Sequence, residues 1–178
     1  MLWKDDLLYV APTYFLPEKT IQDSTNPLYQ KWASEGWLIS IPGPVIDHQF
    51  IIEHTSEVCS NYEVATINID RYCAQDIANR LDQEGWPVQY MPQGYQLSDP
   101  SKKLQSLILK SRVVYENPIF EWNAINTVCD YDWRNNLYIR KKDKDSKDKI
   151  DGIICAVMCL GSIELDGTEY DLGVYVPD

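Results

Sequence analysis

Apolar residues along this chain follow two alternating patterns. Short apolar runs rich in β-branched and aromatic residues predict strands, and longer stretches with apolar residues three or four positions apart predict helices. The predicted strands cover residues 7–15, 37–41, 64–69, 86–91, 113–115 and 137–139. The predicted helices cover residues 28–35, 48–60, 72–84 and 97–110, with two more beginning at Pro118 and Asp151. Strands that alternate with helices in this way predict an α/β sheet.

Boundary residues mark several of these elements. Residues 1–3 have the pattern of the end of a strand and residues 4–6 that of a turn, so we expect the chain to begin within a hairpin. Gly36 is suited to ending one predicted helix, because glycine readily takes the left-handed conformation found there. Asp47 precedes the next helix and can cap it by accepting a backbone N–H.

Other stretches lack a clear apolar period. Residues 17–26 are expected to form a polar connection, and residues 130–136 a turn. The helix that begins at Pro118 is expected to continue through Val128, which shares a face with Trp122 at helical spacing.

An abrupt change from charged to apolar residues lies near position 151. The lysine-rich residues 147–149 are followed by an apolar run over residues 153–160, which predicts a buried helix with Asp151 in its first turn. Ile154, Cys155 and Met158 share the face of Asp151, so we expect that face to pack against apolar residues. Asp151 then either stabilises its helix through the helix dipole or serves as a metal ligand at the rim of a core. Taken alone, the first interpretation is favoured.

A second carboxylate strengthens the interpretation of Asp151 as a metal ligand. Asp70 ends the predicted strand over residues 64–69, and carboxylates at such strand ends face the crevice where ligands bind in open α/β sheets. Mg²⁺ prefers a few carboxylate oxygens together with water and phosphate. Two such ions about 4 Å apart can promote phosphodiester cleavage. The chain has 27 acidic residues, however, and two of them taken at random are more often solvated side chains.

Composition limits the class of protein. The chain has 178 residues, enough for one domain with a core, and 44% of them are hydrophobic, which argues against disorder. No apolar run approaches the roughly 20 residues that span a bilayer, and the first residues lack the apolar stretch of a signal peptide.

Five cysteines occur without a C-x-x-C pair, which indicates reduced cytosolic thiols and not a disulfide framework or zinc site. They are Cys59, Cys73, Cys129, Cys155 and Cys159.

Charge is distributed unevenly. The net charge of −11 argues against nonspecific nucleic-acid binding by the chain as a whole. Residues 140–149 nevertheless carry six basic and three acidic residues, a net charge of +3. The basic residues are Arg140, Lys141, Lys142, Lys144, Lys147 and Lys149. A solvated loop is the default interpretation of this basic loop, but its position just before Asp151 makes contact with phosphate a second one.

Two other kinds of chemistry find no support. The chain has no G-x-x-x-x-G-K-[ST] phosphate loop, which argues against ATP hydrolysis. Its two histidines, His48 and His54, do not suggest a catalytic pair.

The order of several short motifs resembles the C-terminal nuclease domain of the large terminase subunit of tailed bacteriophages. Each motif is short, but together their order and spacing cover nearly the whole chain. They are the strand and proline turn over residues 9–17, the segment 32–38, Pro42-Gly43 with Ile46-Asp47, Ile69-Asp70-Arg71, Gln93-Gly94, Leu97-Ser98-Asp99-Pro100, Asn117-Pro118 with Trp122 and Asn126, and Lys149-Ile150-Asp151-Gly152.

This resemblance implies both a fold and an activity. The implied fold is an RNase H-like mixed sheet flanked by helices, in one domain over residues 1–178. The implied activity is two-metal-ion endonuclease cleavage of concatemeric double-stranded DNA during genome packaging in the bacterial host cytoplasm.

The family's metal ligands map onto Asp70 and Asp151, with Mg²⁺ or Mn²⁺ as the cofactor. The terminase small subunit and the portal become expected partners, and no membrane association is implied. Lysines of the basic loop become candidate DNA contacts, namely Lys142, Lys144, Lys147 and Lys149.

The chain also departs from the family pattern. Family members begin this domain with a strand carrying a Gly-x-Asp-x-Ser type motif, and an ATPase domain precedes it. Neither is present here, so we expect an N-terminally incomplete domain whose Asp70 strand has an unpaired edge. An unpaired edge favours pairing with another chain, and hence self-association.

Two classes of function follow from these observations. The chain is either a metal-dependent endonuclease, complete only with a supplied first strand, or a noncatalytic protein, which is then an inactive prophage remnant or a docking module of the packaging complex. Loss of one carboxylate from a two-metal site should weaken both metal binding and charge neutralisation in the transition state.

Overall fold

The computed structural model describes residues 1–70, 72, 74–92, 94–143 and 147–165, with the side chains of all of these except 164 and 165. Within these ranges the strands are β1 (Leu2–Lys4), β2 (Leu7–Tyr9), β3 (Tyr14–Pro17), β4 (Leu38–Ile41), β5 (Ile67–Asp70), β6 (Val88–Met91), β7 (Val113–Val114), β8 (Thr127–Tyr131) and β9 (Leu137–Lys141). The helices are α1 (Glu18–Asp23), α2 (Pro27–Ser34), α3 (His48–Cys59), α4 (Gln75–Gln83), α5 (Ser98–Leu109), α6 (Pro118–Ile125) and α7 (Asp151–Leu165), with a 3₁₀ turn over Gly94–Leu97 before α5.

The strands combine parallel and antiparallel pairing. β2 pairs with β1 in antiparallel and with β7 in parallel orientation. β3 and β4 form a parallel pair, as do β5 and β6, whereas β8 and β9 form an antiparallel hairpin. The predicted α/β class with mixed strand directions is confirmed. Across the described residues the strands form four separate hydrogen-bonded groups, however, and not one continuous sheet.

The N-terminal hairpin was predictable from its turn. Asp5 and Asp6 both have positive φ, 50° and 62°, the conformation that a tight two-residue hairpin turn requires. A guanidinium nitrogen of Arg112, just before β7, lies 3.3 Å from Asp6 Oδ2 and holds this turn against the neighbouring strand. The strand predicted over residues 7–15 is divided into β2 and β3, with Pro12 in the irregular stretch between them.

Three predictions of local structure are wrong. The connection predicted over residues 17–26 contains α1, whose buried Ile21 packs into a cluster with Trp32 and Leu38. Val128 belongs to strand β8 and not to the helix before it, because Asn126 ends α6 and the chain turns into an extended conformation at Thr127. β8 also takes in Asp130 and Tyr131, where the turn was expected to begin.

Asn117 connects three distant parts of the chain. Its side-chain oxygen accepts the backbone N–H of Ile119 at 2.9 Å, which caps α6. Its side-chain nitrogen donates to the carbonyl oxygens of Pro12 and Trp37, each at 3.2 Å. One buried amide therefore fixes the start of α6 against the segment before β3 and the residue that leads into β4.

Helix α7 forms much of the main core. Its buried residues Val157 and Leu160 pack with Leu8 of β2, Leu104 of α5 and Phe120 of α6. Full burial of each such side chain contributes roughly 1.5–3 kcal/mol to folding. α7 is thus held rigidly along most of its length, which matters because Asp151 is its first residue. None of the described helices is long and apolar enough to cross a membrane.

Candidate active site

Asp70 lies at the C-terminal end of strand β5. It is half-buried and directly opposite Met91 of β6 in the parallel register. Its Oδ1 accepts the backbone N–H of Tyr72 at 3.1 Å, which holds the chain in a turn as it leaves the strand. The sequence-based placement of Asp70 at a strand end is therefore confirmed.

Asp151 is the first residue of α7, and its side chain is exposed. The preceding Ile150 is 9% exposed and anchors the start of the helix. The carbonyl oxygen of Ile150 accepts the N–H groups of Ile153 and Ile154 at 3.0 and 3.1 Å, so the helical hydrogen bonds begin at that residue. The partial positive charge of the helix N-terminus favours a carboxylate at this position.

Cys155 brings the two carboxylates into one environment. Its thiol has a pKa raised to about 11, first by burial and then by the charges of Cys159, Asp151 and Asp70. By its surface area, Cys155 is nevertheless exposed to solvent. Asp70 and Asp151 come from a strand end and a helix start, yet both act electrostatically on this one thiol.

The predicted apolar face of α7 is only partly correct. Met158 is buried and Ile154 is half-buried, but Cys155 is exposed. Cys159, one turn further along, has a raised pKa because of burial, which the positive N-terminus of the chain and a hydrogen bond from Asn68 partly offset. This side of the helix is therefore exposed at Asp151 and Cys155 and becomes buried further along, at Met158.

The basic loop begins later than predicted. β9 extends through Arg140 and Lys141, and the Arg140 guanidinium pairs with Asp130 across the hairpin. This ion pair and hydrogen bond raise the pKa of Arg140. Arg140 is thus already paired with a carboxylate. The chain leaves strand β9 only at Lys142, whose backbone N–H donates to the backbone carbonyl oxygen of Asn126 at 2.9 Å.

The candidate DNA-binding lysines lie within the basic loop, near both of its ends. Lys142, Lys147 and Lys149 are all exposed, and Lys147 and Lys149 lie within four residues of Asp151. Lys144 falls outside the described residues. These lysine side chains are accessible to a ligand, and two of them lead directly into the candidate site.

Sequence reasoning missed a buried polar cluster beneath Asp151, formed by Tyr14, Asn123 and Gly152. The backbone N–H of Gly152 donates to Asn123 Oδ1 at 2.7 Å in a buried hydrogen bond. The hydroxyl of Tyr14 lies against the α-carbon of Gly152, and burial followed by the charges of Cys155 and Asp151 raises its pKa. The only signal in the sequence was a single asparagine within an otherwise apolar face of α6.

The donor set at this site consists of carboxylate oxygens. In the portion of the chain that the structure describes, neither Asp70 nor Asp151 forms an ion pair with a basic side chain. Oxygen donors without a competing cation suit Mg²⁺ or Mn²⁺. The same residues include no group of three or more His, Cys, Asp or Glu side chains placed to hold a metal.

Solved structures support the fold class. The chain is similar to the crystal structure of the HK97 bacteriophage large terminase, with a TM-score of 0.78 and 26% identity over 90% of this chain and 34% of that one. It also shares a fold with the crystal structure of the large terminase nuclease from thermophilic phage G20c, with a TM-score of 0.50 and 15% identity over 65% of this chain and 62% of that one. The fold is therefore that of the large terminase structures, including their nuclease domain.

Sequence comparison agrees with this assignment. The family model described as the terminase large subunit, endonuclease domain, matches residues 1–166, and the chain belongs to that family. The large terminase subunit of Enterobacteria phage HK97 is 28% identical over 93% of this chain. Protein YmfN of Escherichia coli strain K12 is 27% identical over 94%. The chain spans 34% and 39% of the lengths of these two relatives, or somewhat more than a third.

Proposed function

We propose that this chain is a metal-dependent endonuclease domain that cleaves double-stranded DNA, with Asp70 and Asp151 as metal ligands. The observation that carries the proposal is that the charges of both carboxylates raise the pKa of one thiol, that of Cys155, which lies one helical turn after Asp151. Family membership supports the reaction class, and the oxygen donor set supports the choice of a hard divalent cation.

Each carboxylate has a separate structural support. Asp70 is oriented by its hydrogen bond to the N–H of Tyr72, and Asp151 is placed by a helix that is buried along most of its length. Rigid support matters because metal ligands must keep their geometry as the substrate changes. A bound divalent ion supplies charge neutralisation at the scissile phosphate and lowers the pKa of a coordinated water. Asp70 and Asp151 are the residues that would hold such ions.

The exposed lysines provide the second part of the proposed mechanism. Lys142, Lys147 and Lys149 would contact phosphates next to the candidate site, and Lys144 is proposed to join them. Such contacts position the duplex without reading its sequence. The rest of the chain is strongly acidic, so this basic loop also orients the DNA towards the site through repulsion elsewhere.

The wider role is proposed from the relatives. As part of a large terminase subunit, the domain would cut concatemeric phage DNA during genome packaging in the host cytoplasm. The terminase small subunit and the portal are the partners that this role requires. The specific reaction, its two-ion stoichiometry and these partners all rest on the family and not on geometry seen in this chain.

A plasmid-nicking assay with Mn²⁺ tests the proposal. Asp70→Asn and Asp151→Asn each preserve side-chain volume while removing a charged ligand, and each should lower the cleavage rate by at least 100-fold. Asp82→Asn removes an exposed carboxylate from α4 and serves as the matched control, which should cleave at the unchanged rate. Equal cleavage by all three variants would show that these two carboxylates are not the ligands.

A noncatalytic docking module is the second candidate function. It is favoured by the finding that the described residues supply two carboxylates and not a third acidic ligand. In that case the purified chain would bind DNA with the expected salt dependence but would not nick plasmid in either Mn²⁺ or Mg²⁺. The same assay therefore distinguishes the two functions.

A further inference from the structure

The residue before the start of α7 is apolar. Ile150 precedes the helix and has no polar group that could accept the unpaired N–H groups of the first turn. Asn123 supplies that acceptor from α6, since its Oδ1 accepts the Gly152 N–H at 2.7 Å. The cap thus comes from a residue 29 positions away, on a neighbouring helix.

Tyr14 keeps this cap in place from the other side. A β-carbon on Gly152 would overlap the Tyr14 hydroxyl oxygen and would lie 3.0 Å from Asn123 Oδ1 and 3.1 Å from Tyr14 Cζ. Strand β3 and helix α6 therefore close around the second residue of α7 with no spare volume. Asp151 immediately precedes that residue, so its backbone cannot shift without disturbing both contacts.

Buried donors in this cluster indicate that it is not optimised for stability alone. Asn123 is 1% exposed, and its Nδ2 has no hydrogen-bond partner among the described residues. The Tyr14 hydroxyl is likewise buried without a partner there. Each unsatisfied buried polar group costs roughly 1–3 kcal/mol, and a hydrophobic residue of similar shape would avoid that cost.

We propose that Asn123 is a positioning residue for the metal site: it caps the start of α7 and, with Tyr14 packed against Gly152, fixes where the Asp151 carboxylate lies. This inference rests on the proposed role of Asp151 as a metal ligand. Residues that orient a metal ligand without touching the metal typically change metal affinity by 10–100-fold when they are mutated. Asn123 belongs to this class of residue because it acts on Asp151 through the helix backbone.

The first test measures Mn²⁺ affinity from the electron paramagnetic resonance signal of the unbound ion. Asn123→Ala should weaken Mn²⁺ binding about tenfold at a temperature where the variant remains folded. Asn126→Ala is the matched control, because Asn126 is a second buried asparagine at the end of α6 with an unpartnered Nδ2, and the three atoms nearest to a β-carbon on Gly152 belong to Tyr14 and Asn123 instead. It should lower the melting temperature but leave Mn²⁺ affinity within twofold of the wild type.

Amide hydrogen exchange provides a readout that does not depend on metal. The Gly152 amide should exchange at least tenfold faster in Asn123→Ala than in Asn126→Ala. If Asn123→Ala does not fold, Asn123→Asp retains an acceptor oxygen and should keep the Gly152 amide protected. Rapid exchange of the Gly152 amide, in the wild type or in Asn123→Asp, would overturn the proposed cap.

The outcomes separate this inference from the proposed function. If Asp151→Asn binds Mn²⁺ as tightly as the wild type, Asp151 is not a ligand and the proposed function fails. If Asp151→Asn loses Mn²⁺ but Asn123→Ala matches Asn126→Ala in affinity, the positioning role of Asn123 is wrong while the proposed function stands. Weakened binding in both Asp151→Asn and Asn123→Ala, with Asn126→Ala unaffected, supports both.

Discussion

Asp132 accepts two hydrogen bonds from Asn136, one from its backbone N–H at 2.8 Å and one from its side-chain nitrogen at 2.9 Å. It also accepts the backbone N–H of Arg134 at 2.8 Å. One carboxylate therefore organises the turn between β8 and β9, in which Trp133 is 85% exposed. These bonds, led by those from Asn136, lower the pKa of Asp132 below its usual value of 3.8.

The first prediction concerns acid stability of this hairpin. Because the folded pKa is lowered, Asp132 contributes stability above pH 3.8 and loses it as the pH falls through the folded value. Asp132→Ala should therefore lower the melting temperature slightly at neutral pH and have no effect in strong acid. Melting curves of both proteins across pH 2–7 check this, and a constant difference over the whole range would contradict it.

The second prediction concerns the contact between Gly152 and Tyr14. Gly152→Ala places a methyl group against the Tyr14 hydroxyl and should destabilise the protein by about 1–3 kcal/mol, the usual result of overpacking. Tyr14→Phe removes that hydroxyl and should recover part of the loss in the double variant. Urea unfolding of the four proteins gives the coupling energy, and strictly additive effects would show that the two residues do not clash.

The third prediction concerns DNA affinity and salt. Neutralising Lys147 and Lys149 as glutamine should weaken DNA binding and reduce the slope of log affinity against log salt by up to about 1.8, since each phosphate contact on B-DNA contributes about 0.9. The matched control replaces two exposed lysines elsewhere, Lys19 and Lys110. Fluorescence anisotropy at several salt concentrations measures the slopes, and equal slopes for the two double variants would exclude a direct role for the loop.

The fourth prediction concerns the metal ion. We expect this chain to nick plasmid slowly in Mn²⁺ and more slowly still in Mg²⁺. Mg²⁺ releases its hydration shell reluctantly and is poorly held by two carboxylates without substrate phosphate, whereas Mn²⁺ binds such donors more tightly. Initial nicking rates at matched ion concentrations check the order. Rapid cleavage in Mg²⁺ that depends on Asp70 and Asp151 would show that two carboxylates suffice.

The fifth prediction uses Cys155 to test whether the two carboxylates lie around one cleft. A pKa of about 11 leaves little thiolate at pH 7.5, so alkylation of Cys155 should be slow and should accelerate as the pH rises. Asp151→Asn and Asp70→Asn should each speed this alkylation, because the charge of each carboxylate raises the pKa. Peptide mass spectrometry resolves Cys155 from the other cysteines. A rate that Asp70→Asn leaves unchanged would place Asp70 away from the cleft.

Local signals made much of the fold predictable. The hairpin turn at Asp5 and Asp6, the cap at Asp47 and the start of α7 each depend on residues close together in sequence. Asp47 Oδ1 does accept the Gln49 N–H, at 2.9 Å, as its position before the helix predicts. The strand-end location of Asp70 was predictable for the same reason.

Other features depend on contacts that no local pattern contains. The cluster of Tyr14, Asn123 and Gly152 joins three segments distant in sequence, so only the tertiary fold reveals it. Val128 fits the apolar period of a helix and that of a strand equally well, and pairing with Arg140 decided between them. The exposure of Cys155 was likewise missed, because helical spacing identifies a face but not what lies opposite it.

The three hydrogen bonds of Asn117 have a consequence for how the chain folds. Two of them close loops of 105 and 80 residues, so they form only after the N-terminal segment and β4 have reached their final positions. Closing loops of that length carries a large entropic cost, which contacts between near neighbours avoid. We therefore expect the Asn117 side chain to form these two hydrogen bonds late in folding. The first forty residues and α6 should then unfold as a single cooperative unit and not one after the other.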